Sequence, residues 1–137
     1  MFDAHQQCYF FGLLDAACYL ENMEAGVVQA AQLQMCLGKT ESLMAGLNCG
    51  MPSMVAFPVI RDSAALYVAV GDEFARRGVR SCWEEGIVVG ESGGAGVAAL
   101  HALKGTRWEL GKDSVVLCIS TESNTDQKSW EGIVERK

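Results

Sequence analysis

The stretch Glu85 to Lys104, EGIVVGESGGAGVAALHALK, limits the fold more than any other part of the chain. A short apolar run, Ile87 to Val89, passes through the turn Gly90-Glu91-Ser92-Gly93-Gly94 into a helix of small residues from Gly93 to Leu103. Strand, glycine-rich turn and helix in that order form the corner of an α/β layer, with the turn at the carboxyl end of the strand. Two more apolar runs of strand length, Leu66 to Val70 and Val115 to Ile119, flank this corner with helical sequence between them. Alternating strands and helices predict a parallel sheet with helices on both faces, a three-layer α/β arrangement.

The remaining segments fit that frame. DAACYLENMEAG, from Asp15, predicts a helix with Ala17, Leu20 and Met23 on one side and Gly26 as its terminator. A linker follows to Gly38, and Thr40 to Cys49 reads as irregular or briefly helical. SMVAFPVIRDSA predicts a helix capped by Ser53, with Pro58 kinking or stopping it early. DEFARRGVR, opened by Asp72, carries acids in its first turn and bases in its last, which suits the helix dipole. Loop residues Ser120 to Ser123 follow the last strand, so two loops, 90–93 and 120–123, lie at strand ends where ligands of such sheets bind.

At 137 residues and 50% hydrophobic, the chain has material for one core. Its net charge of -6 and scattered basic residues argue against nucleic acid or an acidic membrane surface as partner. No apolar run approaches the roughly 20 residues of a membrane span, and the first residues lack a basic leader, so a cytoplasmic location is expected. Six cysteines stand without a CxxC pair, and His5 and His101 are far apart, which predicts reduced thiols in the core, Cys49 and Cys118 among them, and no metal site.

Gly90-Glu91-Ser92-Gly93-Gly94 also satisfies G-x-S-x-G, the elbow that exposes a serine nucleophile beside backbone donors. A serine needs a base, and after Ser92 the only histidine is His101, on the same helix and too far along it to turn back. A glycine cluster also serves plain close packing of a helix on its neighbours.

The order of several segments points elsewhere. DAACYLENMEAG, KTESLMAGLNCGMPS, EEGIVVGESGGAGVAAL and SVVLCISTESNTD together resemble the C-terminal part of the diaminopropionate ammonia-lyases. These belong to the tryptophan synthase β-like, fold-type II group of pyridoxal-phosphate enzymes. MAGLNCGMPS and VVLCISTE are the most specific pieces, and residues 15–137 carry the resemblance while 1–14 stand outside it as a leader. The resemblance implies a partial domain of that fold, pyridoxal 5'-phosphate as cofactor, a small amino-acid substrate and a homodimer in the complete enzyme. It implies conversion of 2,3-diaminopropionate to pyruvate and ammonia, with a related amino-acid dehydratase or a non-catalytic remnant as alternatives.

Site residues follow from the same resemblance. Ser120 takes the position that contacts the pyridine nitrogen, with Thr121 as its neighbour and substitute. Glu91 and Ser92 match the corner beside the cofactor ring, and Met44 to Leu47, with Gly46, match a segment lining the site from the other side. Ser123 and Asn124 depart from the Gly and Asp of the family pattern, while Asn124 and Asp126 suit a turn. The Schiff-base lysine, the phosphate loop and the acid/base residues belong upstream in the family, and none of Lys39, Lys104, Lys112, Lys128 and Lys137 sits in a matching motif. The chain by itself is therefore expected to be inactive and prone to association through uncovered apolar faces.

Overall fold

A computed structural model of the chain describes residues 8–13, 17–36, 39 and 41–135. His5, Asp15, Gly38, Thr40 and Lys137, named above, lie outside the described residues. The chain divides into two units, Met1–Ser42 with Leu47–Ala69, and Leu43–Gly46 with Val70–Lys137.

In the first unit, β1 (Cys8–Leu13) pairs with β2 (Ala64–Val70) in a two-stranded sheet, which places a strand within the leader stretch 1–14. Helix α1 (Cys18–Glu24) ends at Gly26, whose φ of 74° only glycine adopts without strain. There the Val27 amide reaches back to Asn22 O at 3.0 Å. Asn22, although buried, has its amide engaged on both sides. Its Nδ2 donates to Cys18 O at 2.7 Å and Gln34 O at 2.8 Å, and its Oδ1 accepts from Gln34 N at 2.8 Å. This pins the linker to α1.

Helix α2 (Phe57–Ser63) starts later than the sequence predicted. Ser53 closes a turn instead, its Oγ accepting from Ala56 N at 3.2 Å and its carbonyl from Phe57 N at 2.8 Å. Pro58 then falls in the first helical turn, where its missing N–H has no partner to lose, so it neither kinks nor stops the helix. Phe57 is buried and stacks on Tyr19 with ring centroids 6.2 Å apart. Cys49, expected in the core, is exposed, because it lies in the loop after a 3-10 turn at Ala45–Leu47.

In the second unit, α3 (Asp72–Glu84) has its acids in the first turn as read, but runs four residues past Arg80. Arg76, Arg77 and Arg80 thereby stand mid-helix, and the last turn holds no base. The amphipathic stripe Ala75, Gly78, Val79 and Cys82 explains the extension, since it continues to bury one side. It packs on α4 (Ala95–Leu103), where Ala95 and Ala98, like Ala75 and Val79, have 0% exposure. The helices meet at backbone distance: a Cβ on Gly78 would lie 2.7 Å from Gly94 O and 2.8 Å from Ala98 N. Across the same contact Ser81 Oγ and His101 Nε2 are 2.8 Å apart.

A further helix, α5 (Gln127–Val134), was not foreseen. Asp126 caps it, its side chain accepting from Ser129 N at 3.0 Å, so the residue read as a turn former starts a helix. Trp130 and Ile133 pack with Val79, and Leu43 joins the cluster. Trp130 meets Trp83 edge to face at 5.0 Å.

The runs Ile87–Val89 and Val115–Ile119 have no strand ladder among the described residues. Val115 is 100% exposed, Leu117 86% and Ile119 74%, and Cys118 is exposed rather than in a core. A buried parallel strand needs a hydrogen-bonded neighbour and two covered faces. Residues 115–119 have the composition of such a strand without those neighbours.

Candidate functional site

The second unit brings three separated segments together: residues 43–46, the turn 90–94 before α4, and the loop 120–123. The turn is made of small residues because two backbones approach it. A Cβ on Gly90 would overlap Ser123 O and come within 2.8 Å of Glu122 Oε2. On Gly93 it would overlap Glu122 O and lie 2.7 Å from Ser120 Oγ. The glycines, read from the sequence as a tight turn that also allows close packing, make room for a particular loop.

Four of the five residues implicated by the sequence meet or flank this junction. Gly46 N donates to Ser92 Oγ at 3.0 Å. Ser120 Oγ donates over a long 3.4 Å to the carbonyl of Glu122. Thr121 follows on the same loop and is exposed. Glu91 turns aside: it is only 7% exposed and its Oε1 accepts from Ser129 Oγ at 2.6 Å, which ties the turn to the first turn of α5.

The residue that joins the pieces is Glu122, which the sequence did not single out. Its Oε2 accepts from Ser92 N at 2.8 Å and from Gly93 N at 3.1 Å, while its carbonyl accepts from Gly90 N at 3.2 Å. Ser92 and Gly93 lie in the turn that leads to the N-cap Gly94 of α4, and the carboxylate supplies the acceptor for their amides. A glycine-rich turn before a helix implies an acceptor for those amides, and the acid two residues after Ser120 was the available signal.

Ser92 does not meet the requirements of a nucleophile elbow. Its hydroxyl accepts from the Gly46 amide, whereas the imidazole of His101 is engaged with Ser81 on α3. Burial, then the positive charges of Arg77 and Lys104, push the His101 pKa below its ordinary value. Among the described residues no group of three or more His, Cys, Asp or Glu is arranged to hold a metal ion, and no helix is long and apolar enough to cross a membrane.

Comparison with known proteins gives the family and the fold. A family model described as pyridoxal-phosphate dependent enzyme matches residues 15–122. The diaminopropionate ammonia-lyase of Salmonella typhimurium is 30% identical over 125 residues, covering 81% of this chain and 31% of that protein. The Escherichia coli K12 protein of the same name is 34% identical over 110 residues, covering 71% of this chain and 28% of that protein. A crystal structure of the Escherichia coli protein in complex with D-serine superposes with a TM-score of 0.73 at 27% identity, covering 93% of this chain and 33% of the other. A T.th. threonine deaminase shares the fold, with a TM-score of 0.63 at 16% identity over 81% of this chain and 42% of the other. The chain thus spans about a third of the length of the curated relatives it matches.

Proposed function

Because the chain belongs to the pyridoxal-phosphate dependent enzyme family, with the fold-type II α/β architecture, we propose that it supplies one part of an ammonia-lyase acting on 2,3-diaminopropionate. Residues 15–137 carry the segments that resemble the lyases, with β1 paired to β2 beside them, and the products are pyruvate and ammonia. The observation that supports this most is the junction itself. MAGLNCGMPS, GESGG and VVLCISTE, distant in sequence, contribute Gly46, Ser92 and Ser120 to one interlocked set of hydrogen bonds.

The residues present fit one end of the cofactor. Ser120 is exposed and its hydroxyl is held only by a long bond, so it can turn its proton towards an unprotonated ring nitrogen. A neutral partner there leaves that nitrogen largely uncharged, which favours elimination over transamination. The phosphate end fits less well: the amides of Ser92 and Gly93, the natural anion donors, are taken by Glu122. The donors for the phosphate, the Schiff-base lysine and the acid/base groups are the ones the resemblance puts upstream of these segments. When bound, the cofactor withdraws electrons from the substrate α-carbon so that the β-amine can leave. The chain's own part is to hold the ring edge with Ser120 and to form one wall with Gly46 and Ser92. Glu91, bonded to Ser129, shapes the turn rather than reaching into the space before it. Cytoplasmic location and a homodimeric complete enzyme go with this reading.

The test supplies this chain with pyridoxal phosphate and 2,3-diaminopropionate, alone and with a polypeptide equivalent to the remaining two-thirds of the Escherichia coli relative. Ammonia release that needs both polypeptides supports the proposal. Release from L-threonine but not from the diamino acid would transfer it to the dehydratases. No release from a stably formed complex would leave a non-catalytic remnant.

A further inference from the structure

Glu122 has more contacts at the junction than the residues whose chemistry is sought there. We propose that Glu122 is a positioning residue, which locks the loop 120–123 onto the turn 90–93 and thereby fixes where Ser120 presents its hydroxyl. The inference rests on the reading of Ser120 as the ring-nitrogen contact.

The argument is geometric. A single loop residue engages the same turn twice, through its carboxylate and through its carbonyl. Oε2 accepts from Ser92 N and Gly93 N at 2.8 and 3.1 Å, and the carbonyl accepts from Gly90 N at 3.2 Å. Anchoring both ends of one residue fixes the peptide that carries its carbonyl. That carbonyl is also the acceptor of Ser120 Oγ at 3.4 Å, so the orientation of the serine hydroxyl is set through Glu122. Gly90 and Gly93 are the complementary half of the device, because a Cβ at either would displace Glu122. Gly46 completes it. Its amide bonds Ser92 Oγ at 3.0 Å, and a Cβ there would lie 3.9 Å from Glu122 Oε1, so the wall segment closes over the same carboxylate.

Three variants separate charge, length and presence of the carboxylate. E122Q retains an oxygen that can accept both amides; E122D keeps the charge but falls one methylene short; E122A removes the group. In the 137-residue chain, amide exchange at Ser92 and Gly93 is expected to quicken about tenfold or more in E122A and E122D, and to stay near the parent rate in E122Q. If E122A does not fold, E122D and E122Q decide the matter. Unchanged exchange in E122D would overturn the lock. In the two-polypeptide complex loaded with pyridoxal phosphate, E122D is expected to shift the cofactor absorbance in the same direction as S120A, and the double variant to add nothing. An E122D spectrum identical to the parent, with S120A shifted, would overturn positioning of Ser120. A parent-like S120A spectrum would instead sink the ring-nitrogen reading, with the exchange result at Ser92 and Gly93 still standing.

Discussion

Where α3 crosses α4, four side chains have no exposed surface and backbone touches backbone; along Val115 to Ile119, three apolar side chains leave most of their surface open. Both regions present apolar side chains, and they are opposite in what those side chains find to pack against. Helices satisfy their own backbone hydrogen bonds, so two of them need only complementary stripes to form a stable contact. A strand satisfies none of its own and becomes a strand only when another chain segment lies beside it. The helical contact is satisfied within the unit, while 115–119 has the sequence of an interior strand and, among the described residues, no strand beside it. The matched segment is about a third of the length of the relatives.

The contrast can be broken first at Gly78. G78A forces the α3 and α4 backbones apart and should cost about 2 kcal/mol or more, read from the midpoint of urea unfolding. An unchanged midpoint would mean that the helices are not in backbone contact. Next in size, D126A removes the cap of α5 and should cost about 1 kcal/mol, with Asp126→Asn close to the parent. A pH effect follows from His101, whose folded pKa is depressed by burial and then by Arg77 and Lys104. Its neutral form is the one the fold holds. The stability it confers is full above the unfolded value of 6.5 and is lost as pH falls towards the depressed folded value. Melting temperatures above and below 6.5 should differ more in the parent than in H101Q. Smallest in stability is L117K, expected within about 0.5 kcal/mol of the parent because the side chain is already open to water. Its effect should appear in size-exclusion chromatography, as less self-association. A loss of stability comparable to G78A would show that 115–119 is packed after all.

How much was legible in the sequence follows the same division. α1 and its end at Gly26, the start of α3 at Asp72 and the glycine-rich turn into α4 were readable, because each depends on spacing within a few residues, whereas the strand expected at Ile87–Val89 needed a neighbour. Pro58 misled about α2: a proline is tolerated in the first turn, and where that turn begins depends on how Phe57 is buried against Tyr19. The length of α3 was set by burial of Cys82 rather than by its charges. α5 had a readable signal in Asp126 followed by Trp130, Ile133 and Val134, but it is short and polar elsewhere. In the site, resemblance brought forward Gly46, Ser92 and Ser120, and the structure joined them. Glu122 was missed because its partners are backbone amides, and the one signal for it, an acid two residues after Ser120, does not say which turn it reaches.

The edge-to-face pair of Trp83 and Trp130 has a practical consequence. The chain holds three tryptophans, and the pair lies on α3 and α5 while Trp108 is exposed beyond α4. Because Ser129, next to Trp130, is bonded to Glu91, a shift at the glycine-rich turn is transmitted to the start of α5. The molecule thus has its own optical gauge: near-ultraviolet dichroism of the indole pair would follow events at the turn with no label attached.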